Sequence, residues 1–168
     1  ITVRLALGNR TNTEWCYLLG DFGVKVTGRR TQITALPEKL WFGDIVNQGL
    51  PFFGGNITYK IPVTIKNNHL EVCTSFYRGA LVTASLDKKE FGKIIYPPYR
   101  AKTDAENGEH ILSLKLYTNR FNSFGSVHLL DKMERWQGPD SWRSRGNRWS
   151  YEYIFKRTGI LKTPVISC

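Results

Sequence analysis

A chain of 168 residues with 24 Lys and Arg against 14 Asp and Glu, a formal charge of +10, fits one domain large enough to withdraw roughly 70% of its unfolded surface from water. Its 41% hydrophobic and 13% aromatic content excludes intrinsic disorder, and apolar stretches as short as 79–86 exclude a helical membrane span. The excess of positive charge suits an acidic partner or nucleic acid without choosing between them.

The predicted elements are short strands. Runs at 1–7, 15–19, 24–27 and 31–36 come first, followed by a candidate helix at 37–47, with Pro37 suited to a first turn, Leu40, Trp41 and Ile45 at helical spacing, and Gly49 as the stop. The clearest strand is 57–65, where Ile57, Tyr59, Ile61, Val63 and Ile65 alternate with polar residues, so one face is buried and the other wet. Pro62 lacks a ladder donor, which places this strand at a sheet edge or a bulge. Further strands are predicted at 69–77, 79–86, 91–95, 111–118, 125–130 and 149–155. Gly28, Lys66-Asn67-Asn68, Asp87-Lys88-Lys89, Tyr96-Pro97-Pro98-Tyr99 and Glu106-Asn107-Gly108-Glu109 punctuate them as turns. About ten short strands with turn signals between them define an all-β chain, a β-sandwich or barrel with one short helical segment. No repeat or linker divides it, so residues 1–168 are expected to form a single domain. The start at Ile1 and the apolar run up to Cys168 lead us to expect that it is excised from a larger multidomain protein.

The stretch 41–59, Trp41-Phe42-Gly43-Asp44 through Gln48-Gly49-Leu50-Pro51-Phe52-Phe53-Gly54-Gly55 to Ile57-Thr58-Tyr59, resembles a segment of galactose-binding-like jelly-roll domains attached to bacterial glycoside hydrolases. Gly79 to Leu86, Tyr96 to Tyr99, and Gly108 to Gly125 with its Asn119-Arg120-Phe121-Asn122 loop resemble later pieces of the same domains. The likeness runs over roughly 41–161. It implies a jelly roll of the galactose-binding-domain-like kind, a catalytic domain elsewhere in the same chain as partner, and carbohydrate as a ligand of some members. Where such domains carry an Asn-Gly turn this chain has Asp87-Lys88-Lys89, so the turn must take another form.

Glycoside hydrolysis needs two carboxylates about 5 to 10 Å apart, and the acids here are scattered. Asp21 and Asp44 sit in glycine-containing turns, and Glu152 lies between Tyr151 and Tyr153 on the polar phase of a predicted strand. No nucleophile elbow, phosphate loop or histidine pair is present; His69, His110 and His128 are isolated and expected to be structural. We therefore expect a non-catalytic accessory domain, one that binds carbohydrate or, alternatively, a purely structural one that packs on a catalytic domain. The resemblance implies a structural calcium in some members, but no cluster of acids here offers its oxygen ligands, and no cofactor is expected. Cys16, Cys73 and Cys168 form neither a disulfide framework nor a zinc cage; their number leaves room for one bridge, and Cys16 and Cys73 read as small buried residues.

The most unusual composition is 135–149, three tryptophans and four arginines among Gly and Pro. Flat apolar faces there could stack on a sugar ring while polar groups bind its hydroxyls. The candidate carbohydrate-binding residues are Trp136, Trp142, Arg143, Arg145 and Asn147, with Tyr99 and Arg100 bordering the same loop end. Against this, Trp149 begins a strand and is expected to close the core, where Trp15 and Trp41 are also expected to pack. Asn119 to Asn122 is expected to order its loop through backbone bonds. Charge and interleaved aromatics also fit a single-strand binder, but the lysines are dispersed and no motif of that class is present, so nucleic acid is not the expected partner.

Overall fold

The computed structural model describes residues 2, 4, 6, 8, 9, 17–130 and 146–168. Its strands are β1 (Gly23–Thr27), β2 (Arg30–Thr34), β3 (Asn56–Ile65), β4 (His69–Cys73), β5 (Tyr77–Arg78), β6 (Leu81–Leu86), β7 (Lys89–Ile94), β8 (Arg100–Asp104), β9 (Gly108–Tyr117), β10 (Gly159–Ile160) and β11 (Val165–Ser167). All pairings among them are antiparallel. A four-stranded sheet runs β3-β9-β6-β7 and a three-stranded sheet β11-β4-β8, while β1 pairs with β2 and β10 with β5. The predicted strands at 1–7 and at Trp15 and Cys16 fall wholly or partly outside the described residues; Tyr17 to Leu19 carry no ladder.

The period-two pattern of 57–65 becomes β3, with Ile57, Tyr59, Val63 and Ile65 buried and Ile61 half-buried. Its register places Tyr59 opposite Leu114 and Pro62 opposite Ile111. Among the described residues β9 is its single ladder partner, so Pro62, which has no amide hydrogen to donate, sits on an edge strand there. Leu112, Leu114 and Leu116 of β9, Val82 and Ala84 of β6 and Ile94 of β7 continue this inward face. Leu70 and Val72 of β4 and Ala101 of β8 bring the three-stranded sheet onto the same cluster. The sheets approach closely at Gly92, where a side chain would run into the Ala101 methyl.

Several expectations need correction. The helix predicted at 37–47 contracts to a 3-10 turn, Ile45–Gln48, because Gly43 takes φ 146° and interrupts the helical run, although Gly49 does end the turn in the left-handed region. One α-helical turn, α1 (Phe121–Phe124), was not predicted. The run 69–77 divides after Cys73, where the Thr74 amide turns to donate to the Tyr99 carbonyl. Cys73 itself is half-buried, since Leu70 and Val72 take the inward phase of β4. β8, β10 and β11 escaped the sequence reading because they are short or, like Arg100–Asp104, nearly all polar. Trp41 is 68% exposed and not in the core. Gln48 clamps its backbone, accepting from the Trp41 amide at 3.0 Å and donating to its carbonyl at 3.1 Å, while neighbouring Phe42 turns inward and stacks on Tyr59 at 4.8 Å.

Candidate functional site

The chain from 41 to 51 is the floor of the site. The Asp44 carboxylate accepts from the Val46 and Thr158 amides, both at 3.1 Å. It thereby caps the 3-10 turn and ties it to the C-terminal segment, as a short acceptor side chain does for orphan amides. The β1–β2 hairpin docks beside this floor through the Val24 amide on the Gly49 carbonyl, 2.8 Å. Residues 150–157 run along the third side. A cleft of about 200 Å³ opens between the three: Val26 and Gly28 from the hairpin, Val46, Asn47 and Pro51 from the floor, Glu152, Tyr153 and Phe155 from the C-terminal segment.

The predicted strands 125–130 and 149–155 do face each other, but not as a ladder. The Leu130 amide donates to Arg148, the Ser150 amide to His128 and the Ile154 amide to Val127, and a single bridge joins Leu129 to Trp149. The spacing slips between the second and third of these bonds, which prevents regular pairing. Alternation along 149–155 serves ring packing instead. Trp149 stacks on His128 at 4.6 Å, His128 meets Tyr153 at 4.7 Å, Tyr153 stacks on Phe155 at 5.3 Å, and Phe52 packs edge-on against both of the latter. These spacings are the stacked and edge-to-face distances aromatic pairs favour. Trp149 is thus half-buried in an aromatic ladder, which corrects the expectation that it closes the main core.

The ladder supports one wall of the cleft and leaves polar groups at its rim. Glu152 is exposed and Gly28 lies against its carboxylate: a side chain at Gly28 would come within 3.4 Å of Oε1. Beside it Tyr151, 67% exposed, carries the Arg29 guanidinium over its ring at 4.4 Å. An amide, a carboxylate and flat aromatic faces around a volume of this size can hold a small ring-shaped polyol by hydrogen bonds and face contact. The described lining supplies one carboxylate, whereas hydrolysis of a glycosidic bond uses two. Among the described residues no three His, Cys, Asp or Glu side chains gather as metal ligands.

Trp136, Trp142, Arg143 and Arg145 lie outside the described residues. Asn147 is exposed in a second 3-10 turn, Gly146–Arg148, next to Trp149 and so to the ladder. Tyr99 and Arg100 make their contacts elsewhere. Tyr99 is half-buried with φ 55° and its ring 6.3 Å edge-on from Tyr77, and Arg100 pairs with Glu71 of β4 at 3.0 Å. No hydrogen bond, ion pair or ring contact joins either to Asn147 among the described residues. His110 is held by Asp87 and the Glu106 carbonyl, His128 by the ladder and the Ser150 carbonyl, and His69 lies 3.5 Å from Asp104. Asn122 orders its loop, its amide bonding both the carbonyl and the amide of Lys156 at 2.8 and 2.9 Å. Sequence reasoning missed Arg29, Asn47 and Tyr151, and read Glu152 as plain surface; only the docked hairpin brings Asn47 and Glu152 to one cleft and Arg29 over the Tyr151 ring.

Fold and site together define a mostly β domain of antiparallel sheets sharing one core, with an aromatic-walled cleft at its side. No family model matches the chain, and no curated protein matches it. Among solved structures it is similar to the rhamnosidase from Novosphingobium sp. PP1Y, with a TM-score of 0.50 and 15% identity over 97% of this chain. The chain spans 16% of the length of that protein. At this identity the likeness speaks for fold.

Proposed function

We propose that this chain is a non-catalytic accessory domain of a carbohydrate-active enzyme, a sandwich of the galactose-binding-like jelly-roll kind, and that it binds a neutral sugar at the cleft beside Tyr151. The observation that carries the reading is the overlay of almost the whole chain on a small part of a rhamnosidase, which fits a module that accompanies a catalytic domain. The cleft adds a chemical reason, since one carboxylate, one amide and aromatic faces suit sugar recognition better than sugar hydrolysis. Trp136, Trp142, Arg143, Arg145 and Asn147, from the tryptophan- and arginine-rich stretch that precedes Trp149 in the sequence, are part of this reading.

A glycan array followed by calorimetric titration tests it. Binding of a neutral saccharide that is lost on Tyr151→Ala and on Glu152→Gln, with the thermal midpoint unchanged, is the expected result. A folded chain that binds no saccharide overturns the binding role. It leaves the second reading, a structural domain packed on its catalytic neighbour, which the exposure of Trp41, Leu19, Ile33 and Leu36 favours.

A further inference from the structure

We infer that Phe76, Arg78 and Arg157 form a second binding site, one for a carboxylated sugar such as a uronate unit of an acidic saccharide. The inference rests on the reading of the chain as part of a carbohydrate-active enzyme. The β5–β10 ladder builds the site: Gly159 lies opposite Arg78 and the Leu161 amide donates to the Phe76 carbonyl, so Arg157, two residues before Gly159, arrives beside Arg78. Both guanidiniums settle on one ring, their central carbons 5.6 and 5.9 Å from the Phe76 centroid. The ring is 40% exposed and both arginines are exposed.

Neither guanidinium has a carboxylate partner among the described residues, in contrast to Arg100, which has Glu71. Two like charges therefore share one ring with no carboxylate partner among the described residues. A carboxylate that meets them would relieve their repulsion and match the planar fork of a guanidinium. A pyranose bearing the carboxylate could at the same time lay its C–H face on Phe76. The net charge of +10 favours approach of such a ligand, whereas the Glu152 rim of the cleft would repel it. The two sites are thus suited to different saccharides.

The test is calorimetric titration of the chain with oligogalacturonate, with its methyl ester, and with a single-stranded oligonucleotide of equal charge. Oligogalacturonate is expected to bind, and its affinity to fall at least about tenfold on methyl esterification and in the double variant Arg78→Gln/Arg157→Gln. Phe76→Ala should weaken it as well. Unfolding curves that superimpose on the parent's keep a loss from being read as misfolding. Unchanged affinity in the double variant, or equal affinity for the ester, overturns the site. So does an oligonucleotide that binds as tightly and is lost with the same arginines, which would mark a general polyanion surface. If a neutral saccharide binds and is lost on Tyr151→Ala while oligogalacturonate does not bind, this site falls and the proposed function stands; if no saccharide binds, both fall.

Discussion

Asp87 and Lys88 make the two-residue connection from β6 to β7 with φ of 47° and 76°, the left-handed pair that Asn-Gly usually supplies. Asp87 tolerates this through its side chain: Oδ1 accepts from the Ile111 amide at 2.9 Å and Oδ2 from His110 Nδ1 at 2.6 Å. The other ring nitrogen of His110 faces the Glu106 carbonyl at 3.0 Å, so both nitrogens meet acceptors and the imidazolium is the form that satisfies them. The hydrogen bond to Asp87, then that to Glu106, raises His110 above its ordinary 6.5, and the bond from His110, then that from Ile111, lowers Asp87 below 3.8. The Asp87 contribution is complete above 3.8 and fades as pH falls through its lowered value. The His110 contribution is complete below 6.5 and fades as pH rises through its raised value. The stability gap between the parent and Asp87→Asn should therefore be widest between the ordinary values of 3.8 and 6.5 and narrow as pH rises through the raised His110 value, measured by denaturant unfolding across pH. Lys88→Gly should raise stability by about 1 kcal/mol, since glycine takes positive φ without strain. At Asn122, 4% exposed, alanine removes both hydrogen bonds to the Lys156 backbone, leaving its carbonyl to the Thr158 hydroxyl, and should cost about 1 to 3 kcal/mol by chemical denaturation.

At the scale of elements, what could be read in the sequence was what depends on near neighbours. Alternation in 57–65 marked which side of β3 is buried, and Pro62 marked its edge position, because both follow from one residue's own backbone and its i+2 companion. The same alternation in 149–155 was read as a strand yet feeds an aromatic ladder, since a period of two says that side chains share a side and not that the backbone finds a partner. β10 is two residues long and carries no pattern at all. It exists because Gly159, at φ 133°, lets the chain pass against the Gly43 carbonyl, with which any side chain there would collide. Gly159→Ala should separate β10 from the floor of the cleft and cost about 3 kcal/mol or more, with loss of amide protection at Gly43 and Ile45 in hydrogen exchange as the local readout.

Over the whole molecule, two sheets bury one continuous cluster while large apolar residues such as Trp41 stay outside it. Trp41→Ser should then change unfolding free energy by no more than about 0.5 kcal/mol, whereas Leu114→Ala, at the centre of the four-stranded sheet and fully buried, should cost about 2 to 5 kcal/mol. Equal effects would mean that Trp41 belongs to the core after all. By itself the sequence determined the β class, the inward face of the main strands, the positions of most turns, and the ordering role of Asn122. Each of these is settled by local stereochemistry or by the burial of a periodic set of side chains. Only the tertiary structure decided that Arg29 meets Tyr151, that Glu152 and Asn47 line one cleft, and that Arg78 and Arg157 share the ring of Phe76. Those groups come from segments far apart in the chain, and what joins them is the docking of the first hairpin and the β5–β10 pairing, contacts that no local pattern records.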